Sequence, residues 1–400
     1  MRVLALVLCL SVNQAASTAT QKPAPKPAAP ASQAETQPVT AAQVTAAIDN
    51  LGSIDFPIRS TASRTVRRAD GSIAVPALLQ AVKQHKDEYV RFRALVVLSG
   101  FNDPRTRDVM AAVIGDRNDR LRTVAYAYFE HNPDKAIIPR LLESLKTEES
   151  EFVRPALTRA LAAYGDDPRV RPVMDGLVLK GEAFFRSIVI EALGDHRGAY
   201  ALPNIIGVAK IDGPLQDDAA LAIGKIGDKS ALPVLAGLQR SATREAQPSI
   251  AASICLLGVN CSSHQPFIVE SLKFSIAKIG FQGLVRSSAS ALSVLAIAGR
   301  EDAAIELITQ GAPTQDPVRA PIALAFGTLA LRNTPLLLKV LESQPLRGPA
   351  IDLLRDAFDM LEEDFEEERF FATVRRAYWQ APAGSPARAA ADALVRGLEF

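Results

Sequence analysis

The chain has 400 residues, enough for two or three ordinary domains or for one long repeat array. Hydrophobic residues make up 48% and aromatics 6%, and apolar mass carried by Ala, Leu, Val and Ile suits close-packed helices and speaks against a β-sandwich. Formal net charge is +1, from 45 basic and 44 acidic residues, which excludes the broad basic surface of a general nucleic-acid binder.

Taken in chain order, the first feature is a leader. Arg2 precedes an apolar run from Val3 to Leu10, and small residues follow from Ala15 to Ala19. This is the pattern of a cleaved signal peptide over residues 1–19. The run is about half of the roughly 20 residues needed to span a bilayer, so the mature chain is expected to carry no transmembrane segment. The destination would be the periplasm or exterior of a bacterial cell. Residues 20–40 are rich in Pro and Ala, with Pro at 23, 25, 27, 30 and 38, and hold too little apolar mass for a core; a disordered, semi-extended linker is expected.

From residue 41 to 400 the pattern is helical, with breaks at Gly, Asn, Asp and Pro and no alternating strand. An apolar–Arg pair recurs as Val90-Arg91, Leu121-Arg122, Val153-Arg154 and Phe185-Arg186. Leu215-Gln216 and Ala246-Gln247 hold the phase with the Arg lost, and Val285-Arg286 and Val318-Arg319 resume it. The steps from Arg91 to Gln247 are 30 to 32 residues; the next, to Arg286, is 39, which predicts an inserted loop around Asn260 to Gln265. Pro139, Pro172, Pro203 and Pro233 keep the same period, and Pro is favoured in the first turn of a helix. Each unit therefore reads as two helices, the second closed by a residue such as Gly100, Gly194, Gly227 or Gly258.

A Pro-started first helix, an acidic residue, Val-Arg opening a second helix and a Gly after it together resemble HEAT repeats, in particular the short bacterial HEAT-like type also found in phycobilin lyases. The resemblance is clearest over 74–332. It implies an all-α fold, an α-α superhelix or solenoid of about ten helix pairs. It also implies a ladder of acidic and Arg side chains between units: Asp87 with Arg91, Asp119 with Arg122, Glu151 with Arg154, Glu182 with Arg186 and Asp316 with Arg319. In such solenoids the second helices line the concave surface. Phe92, Arg93, Tyr126, Tyr128 and Arg159 are then candidate contacts for a protein or peptide partner, with ordinary inter-helix packing as the competing role.

No catalytic, cofactor or metal constellation is legible. His85, His131, His196 and His264 fall in no metal-ligand spacing, and His131 and His196 read as surface polar residues. The acidic run Glu362, Glu363, Asp364, Glu366, Glu367 and Glu368 reads as a solvated helix face over a buried stripe of Phe365, Phe370, Phe371 and Val374. Cys255 and Cys261 permit one disulfide in an oxidising compartment. On a continuous helix their Cα atoms would stand about 9 Å apart, too far for a bridge, whereas a chain reversal at Gly258 would bring them together; the sequence leaves both states open. The expected function is a non-enzymatic exported scaffold. The alternatives are a lyase-like enzyme or chromophore-attachment factor, and a purely structural envelope component.

Overall fold

The computed structural model describes residues 38–361 and 364–400. The leader, residues 20–37 of the linker, and Glu362 and Glu363 lie outside the described residues. Residues 39–400 form one unit of twenty-two α-helices, with no strand among the described residues.

The helices alternate in role. The first helices of successive pairs are α1 (Ala41–Asn50), α3 (Gly71–Gln84), α5 (Arg105–Val113), α7 (Ile138–Thr147), α9 (Arg171–Leu177), α11 (Leu202–Ala209), α13 (Leu232–Ser241), α15 (Cys261–Ile276), α17 (Glu301–Gly311), α19 (Thr334–Val340) and α21 (Asp364–Gln380). The second helices are α2 (Phe56–Arg68), α4 (Glu88–Ser99), α6 (Asp119–His131), α8 (Arg154–Ala162), α10 (Ala183–Asp195), α12 (Gln216–Ile226), α14 (Gln247–Leu256), α16 (Gln282–Ile297), α18 (Arg319–Arg332), α20 (Gln344–Leu361) and α22 (Pro386–Leu398).

Local chemistry sets the boundaries. Pro occupies the first turn of α7, α9, α11 and α13, where its missing N–H costs nothing. Asp87 caps α4 by accepting from the Tyr89 N–H at 2.8 Å, and Asn118 caps α6 through the Arg120 N–H at 3.0 Å. Asp70 caps α3, so that helix starts before Pro76 and carries it internally. The predicted insertion is helical and not a loop: residues 261–276 form the long helix α15.

The second helices pack on one another and line the inside of the array. Their faces are small. A Cβ on Gly224 of α12 would lie 2.6 Å from the Ser253 Cα of α14, and one on Gly194 would lie 2.9 Å from the Ala222 Cα. Two apolar cores result. One runs from Val44 to Leu257 and includes Phe365; the other runs from Leu221 to Phe400. They meet in α12 and α14.

Candidate functional site

Four of the six phase-marking Arg residues donate to backbone, while Arg286 pairs with Asp217 at 3.0 Å. Arg91 Nε donates to the Val82 carbonyl at 2.8 Å, Arg122 to Asp116 O at 2.8 Å, Arg186 to Val178 O at 2.8 Å and Arg319 to Ala312 O at 2.9 Å. Each satisfies a carbonyl at or just beyond the end of the first helix of its own pair, a group left without an intrahelical partner. Gln216 and Gln247 do the same, donating to Ala209 O at 3.1 Å and Ala242 O at 3.0 Å. The departure from Arg therefore keeps the donor and drops the charge.

The ladder's acidic partners come mostly from the following unit. Arg91 pairs with Asp116 at 2.6 Å, Arg122 with Glu148 at 2.8 Å and Arg319 with Asp356 at 2.5 Å. Of the five sequence-adjacent pairs, Asp119–Arg122 forms, at 2.7 Å. Asp87 is a helix cap, and Asp316 accepts from the Ala320 N–H at 3.2 Å. Glu182 stands at the N-cap of α10 without a side-chain cap bond, and Glu151 is exposed. Arg154 lies over the Phe185 ring, 4.6 Å from its centre.

The concave face is not open where the candidate partner contacts lie. Phe92 and Tyr126 are core residues, 3% and 0% exposed. Tyr128 meets the edge of Phe365 with ring centres 6.2 Å apart. Arg93 pairs with Asp364, and Arg159 pairs with Glu130 at 3.1 Å and Asp195 at 2.9 Å. The occupant at α4 and α6 is the chain's own α21. Its acidic run is not a solvated face: Glu366 and Glu368 are buried, at 4% and 0%. Glu368 accepts from Arg67 Nε at 2.9 Å and lies 3.3 Å from Arg375. Glu366 meets His131 at 2.5 Å, Arg332 at 3.3 Å and Arg369 at 2.6 Å. The apolar stripe holds for Phe365, Phe370 and Val374, which are buried, while Phe371 is half-buried.

Beside this seam is a chamber of about 360 Å³, walled by α6, α8, α10, α12, α16 and α18. Glu130, Arg159, Asp195, His196, Lys225 and Arg332 are its charged lining near the C-terminal ends of those helices. Converging C-termini concentrate negative partial charge, which favours Arg159, Lys225, Arg332 and the two His at those ends. Burial pushes the Glu130 carboxyl up, but Arg159, His196 and Arg332 outweigh it and hold it well below the usual range. Asp195 behaves alike beside Lys225 and Arg159. Burial opposes ionisation of Glu366 too, yet the His131 hydrogen bond and Arg332 bring it down to about 2. Asp218 goes the other way: burial and neighbouring Asp217 raise it to about 6, although Ser187 donates to it at 2.6 Å.

His131 and His196 are thus members of a charged centre, His196 lying 3.1 Å from Glu130. Each ends or follows a second helix, and a charge there, after an apolar run, was the available signal. Glu130, His131 and Glu366 place possible ligand atoms within 4.8 Å of one another. The Glu130 and Glu366 oxygens in that group are already shared by Arg159 and Arg332. Two guanidinium groups at the same atoms oppose a dication, so the group fits an ion-pair hub better than a metal centre.

Cys255 and Cys261 are joined as a disulfide with Cα atoms 4.4 Å apart. Gly258 at φ +85° and Asn260 at φ +45° turn the chain back between them, the left-handed conformation Gly adopts without cost.

A second asymmetry lies on the outside. The turns within pairs carry exposed apolar side chains, Phe152 at 88%, Ile211 at 66% and Ile279 at 100%, with Ile54 and Leu179, and Phe184 at 72% stands in the first turn of α10 beside them. The turns between pairs expose no large apolar side chain among the described residues.

No single helix among the described residues is long and apolar enough to cross a membrane; α18 and α19 reach that length only together, as a pair bent by 111°. A search of curated proteins finds no match. Among solved structures, the chain is similar to YibA of Escherichia coli at 19% identity and a TM-score of 0.41, covering 55% of this chain and 82% of that one. It is similar to Kap121p, solved bound to Nup53p, at 13% identity and 0.42, over 90% of this chain and 49% of that one. Importin β matches at 13% and 0.34, over 88% and 57%; the chain thus spans about half the length of these last two. Residues 44–130 match the family described as HEAT repeats. Over that segment the chain is similar to HEAT repeats, and the helix pairs that follow extend the same all-α solenoid.

Proposed function

We propose that this protein is an exported, non-enzymatic scaffold that holds a protein partner along the outer edge formed by the turns within its helix pairs. The observation that carries this reading is the one-sided row of Phe152, Leu179, Phe184, Ile211 and Ile279. Apolar side chains standing on a polar rim are what interfaces bury. Neighbouring turns are in register: Arg117 pairs with Glu88 at 2.5 Å, and Arg244 lies 5.2 Å from the Phe274 ring centre. Export is supported by the leader pattern and by the Cys255–Cys261 pair.

The test is partner capture from envelope extracts by the full chain with a photocrosslinker at position 184. The triple variant Phe152→Asp, Phe184→Asp, Ile211→Asp should lose the captured protein while keeping its helical spectrum. Undiminished capture would refute the edge.

A lyase-like enzyme or chromophore-attachment factor is the second reading, favoured by Asp218. A chamber-wall carboxyl at about 6 can give and take a proton near neutral pH. Turnover of a small molecule that is lost in Asp218→Asn would favour it over the scaffold.

A further inference from the structure

Helix α21 belongs to the two halves of the fold in different ways. Its apolar contacts hold it to the C-terminal helices: Phe370 lies 5.4 Å from Phe358, and Phe371 lies 4.1 Å from Phe400, between ring centres. Toward the N-terminal helices it offers charge. Asp364 meets Arg93, Glu366 meets His131, and Glu368 meets Arg67. Among the described residues, Phe365 is the one buried residue beyond Leu257 that joins the N-terminal core. Interfaces of that make-up, polar with one aromatic anchor, are typical of contacts that open and close. Water reaches one side of the contact, where the side chains of Arg93, Asp364 and His131 are 17%, 30% and 21% accessible, while those of Glu366, Arg67 and Glu368 are buried.

We propose that the inner strip made by Arg67, Arg93, Tyr128 and His131 on α2, α4 and α6 is a docking site for an acidic amphipathic helix of a partner protein, with α21 as its built-in occupant. The sequence Asp364-Phe365-Glu366-Glu367-Glu368 displays the chemistry the strip accepts: carboxylates on two sides of a helix, and a Phe between them that covers Tyr128 and stacks on His131 at 6.1 Å. A tethered occupant competes at a millimolar effective concentration, so an incoming helix gains access when α21 lets go. This site is separate from the outer edge, and the two stand or fall independently.

The test uses the full chain and a fluorescent synthetic peptide of residues 364–380. In wild type the peptide should bind weakly. The unlatched variant Phe365→Ser, Glu366→Lys should bind it at least tenfold more tightly, and adding Arg93→Glu should remove the gain. A scrambled peptide of the same composition should not bind. If the double variant fails to fold, judged by its helical spectrum and sedimentation, Phe365→Ser alone replaces it with the same expectation. Three results would overturn the proposal. These are a folded, unlatched chain that does not bind the peptide, binding that ignores Arg93→Glu, and an unlatched chain that instead pairs with a second copy by exchanging α21.

Discussion

Glu368→Ala is the sharpest perturbation of the closure. Glu368 is fully buried, and Arg67, whose side chain is 7% accessible, reaches it through two nitrogens, with Arg375 at 3.3 Å. Removing one partner of a buried pair costs about 3–5 kcal/mol, since the other charge is left unmatched. Here two guanidinium groups are stranded together, which argues for the upper part of that range. Arg67→Ala should cost less, about 3 kcal/mol, because Arg375 still faces the carboxylate. The double variant Arg67→Met, Glu368→Leu should recover most of the loss. A chain of this length need not unfold in one step, so the assay is local: native-state hydrogen exchange of α21 amides. About 4 kcal/mol corresponds to protection falling by roughly a thousandfold, with α12 to α16 little changed. Protection within tenfold of wild type would show that α21 is held by Phe370 and Val374 alone and that the ionic seam does not stabilise it.

Other positions give independent checks. Asp218 has a folded value of about 6 against 3.8, so its ionisation weakens the fold as pH rises between those values; Asp218→Asn should stabilise the protein by up to about 3 kcal/mol at pH 7.5 and by almost nothing below pH 4, in paired melting curves. Gln216→Met strips the donor from the Ala209 carbonyl and should cost about 1–3 kcal/mol in urea unfolding. Gly224→Ala pushes a methyl to 2.6 Å from the Ser253 backbone, and should lower stability by about 1–3 kcal/mol. Serine at both Cys255 and Cys261 should cost about 2 kcal/mol on the chain-entropy estimate for so short a loop, and intact mass with and without reductant checks the bridge itself.

The repeat was legible because its markers are local. The apolar–Arg phase and the Pro at α7, α9, α11 and α13 are set by the chemistry of helix ends within one unit. Gly258 was legible as a helix end for the same reason, but whether the chain reverses there and joins Cys255 to Cys261 stayed open in the sequence and is answered by the structure. The closure was not legible. His131 and Glu366 are 235 positions apart, and Arg67 and Glu368 are 301 apart. Reading a solenoid unit by unit assumes that each pair touches its neighbours alone, and under that assumption an acidic helix face is a solvated one. The same assumption left Tyr128 and Arg93 on an open concave surface. The insertion failed differently: Asn260, Ser262, Ser263 and Pro266 look like loop residues, but α15 starts directly after the Cys255–Cys261 reversal and takes Pro266 within its span.

The charge pattern on α21 also explains how a helix built among repeats finds one position. The inner side of α8, α10 and α12 carries charged groups of its own, Arg159, Asp195 and Lys225 among them, so where α21 settles is decided by charge as well as by apolar fit. Asp364 and Glu368 are four apart and share one side of α21, facing Arg93 on α4 and Arg67 on α2. Glu366 lies about half a turn round the helix, facing His131 on α6 and Arg332 on α18. The helix is therefore a wedge with matched charges on two sides. Sliding it by one turn would carry Glu366 away from His131 and Arg332 while stranding Arg67 or Arg93. A buried charge without its partner costs several kcal/mol, more than a change of apolar neighbours would, so the misregistered closures are disfavoured by the same groups that complete the right one.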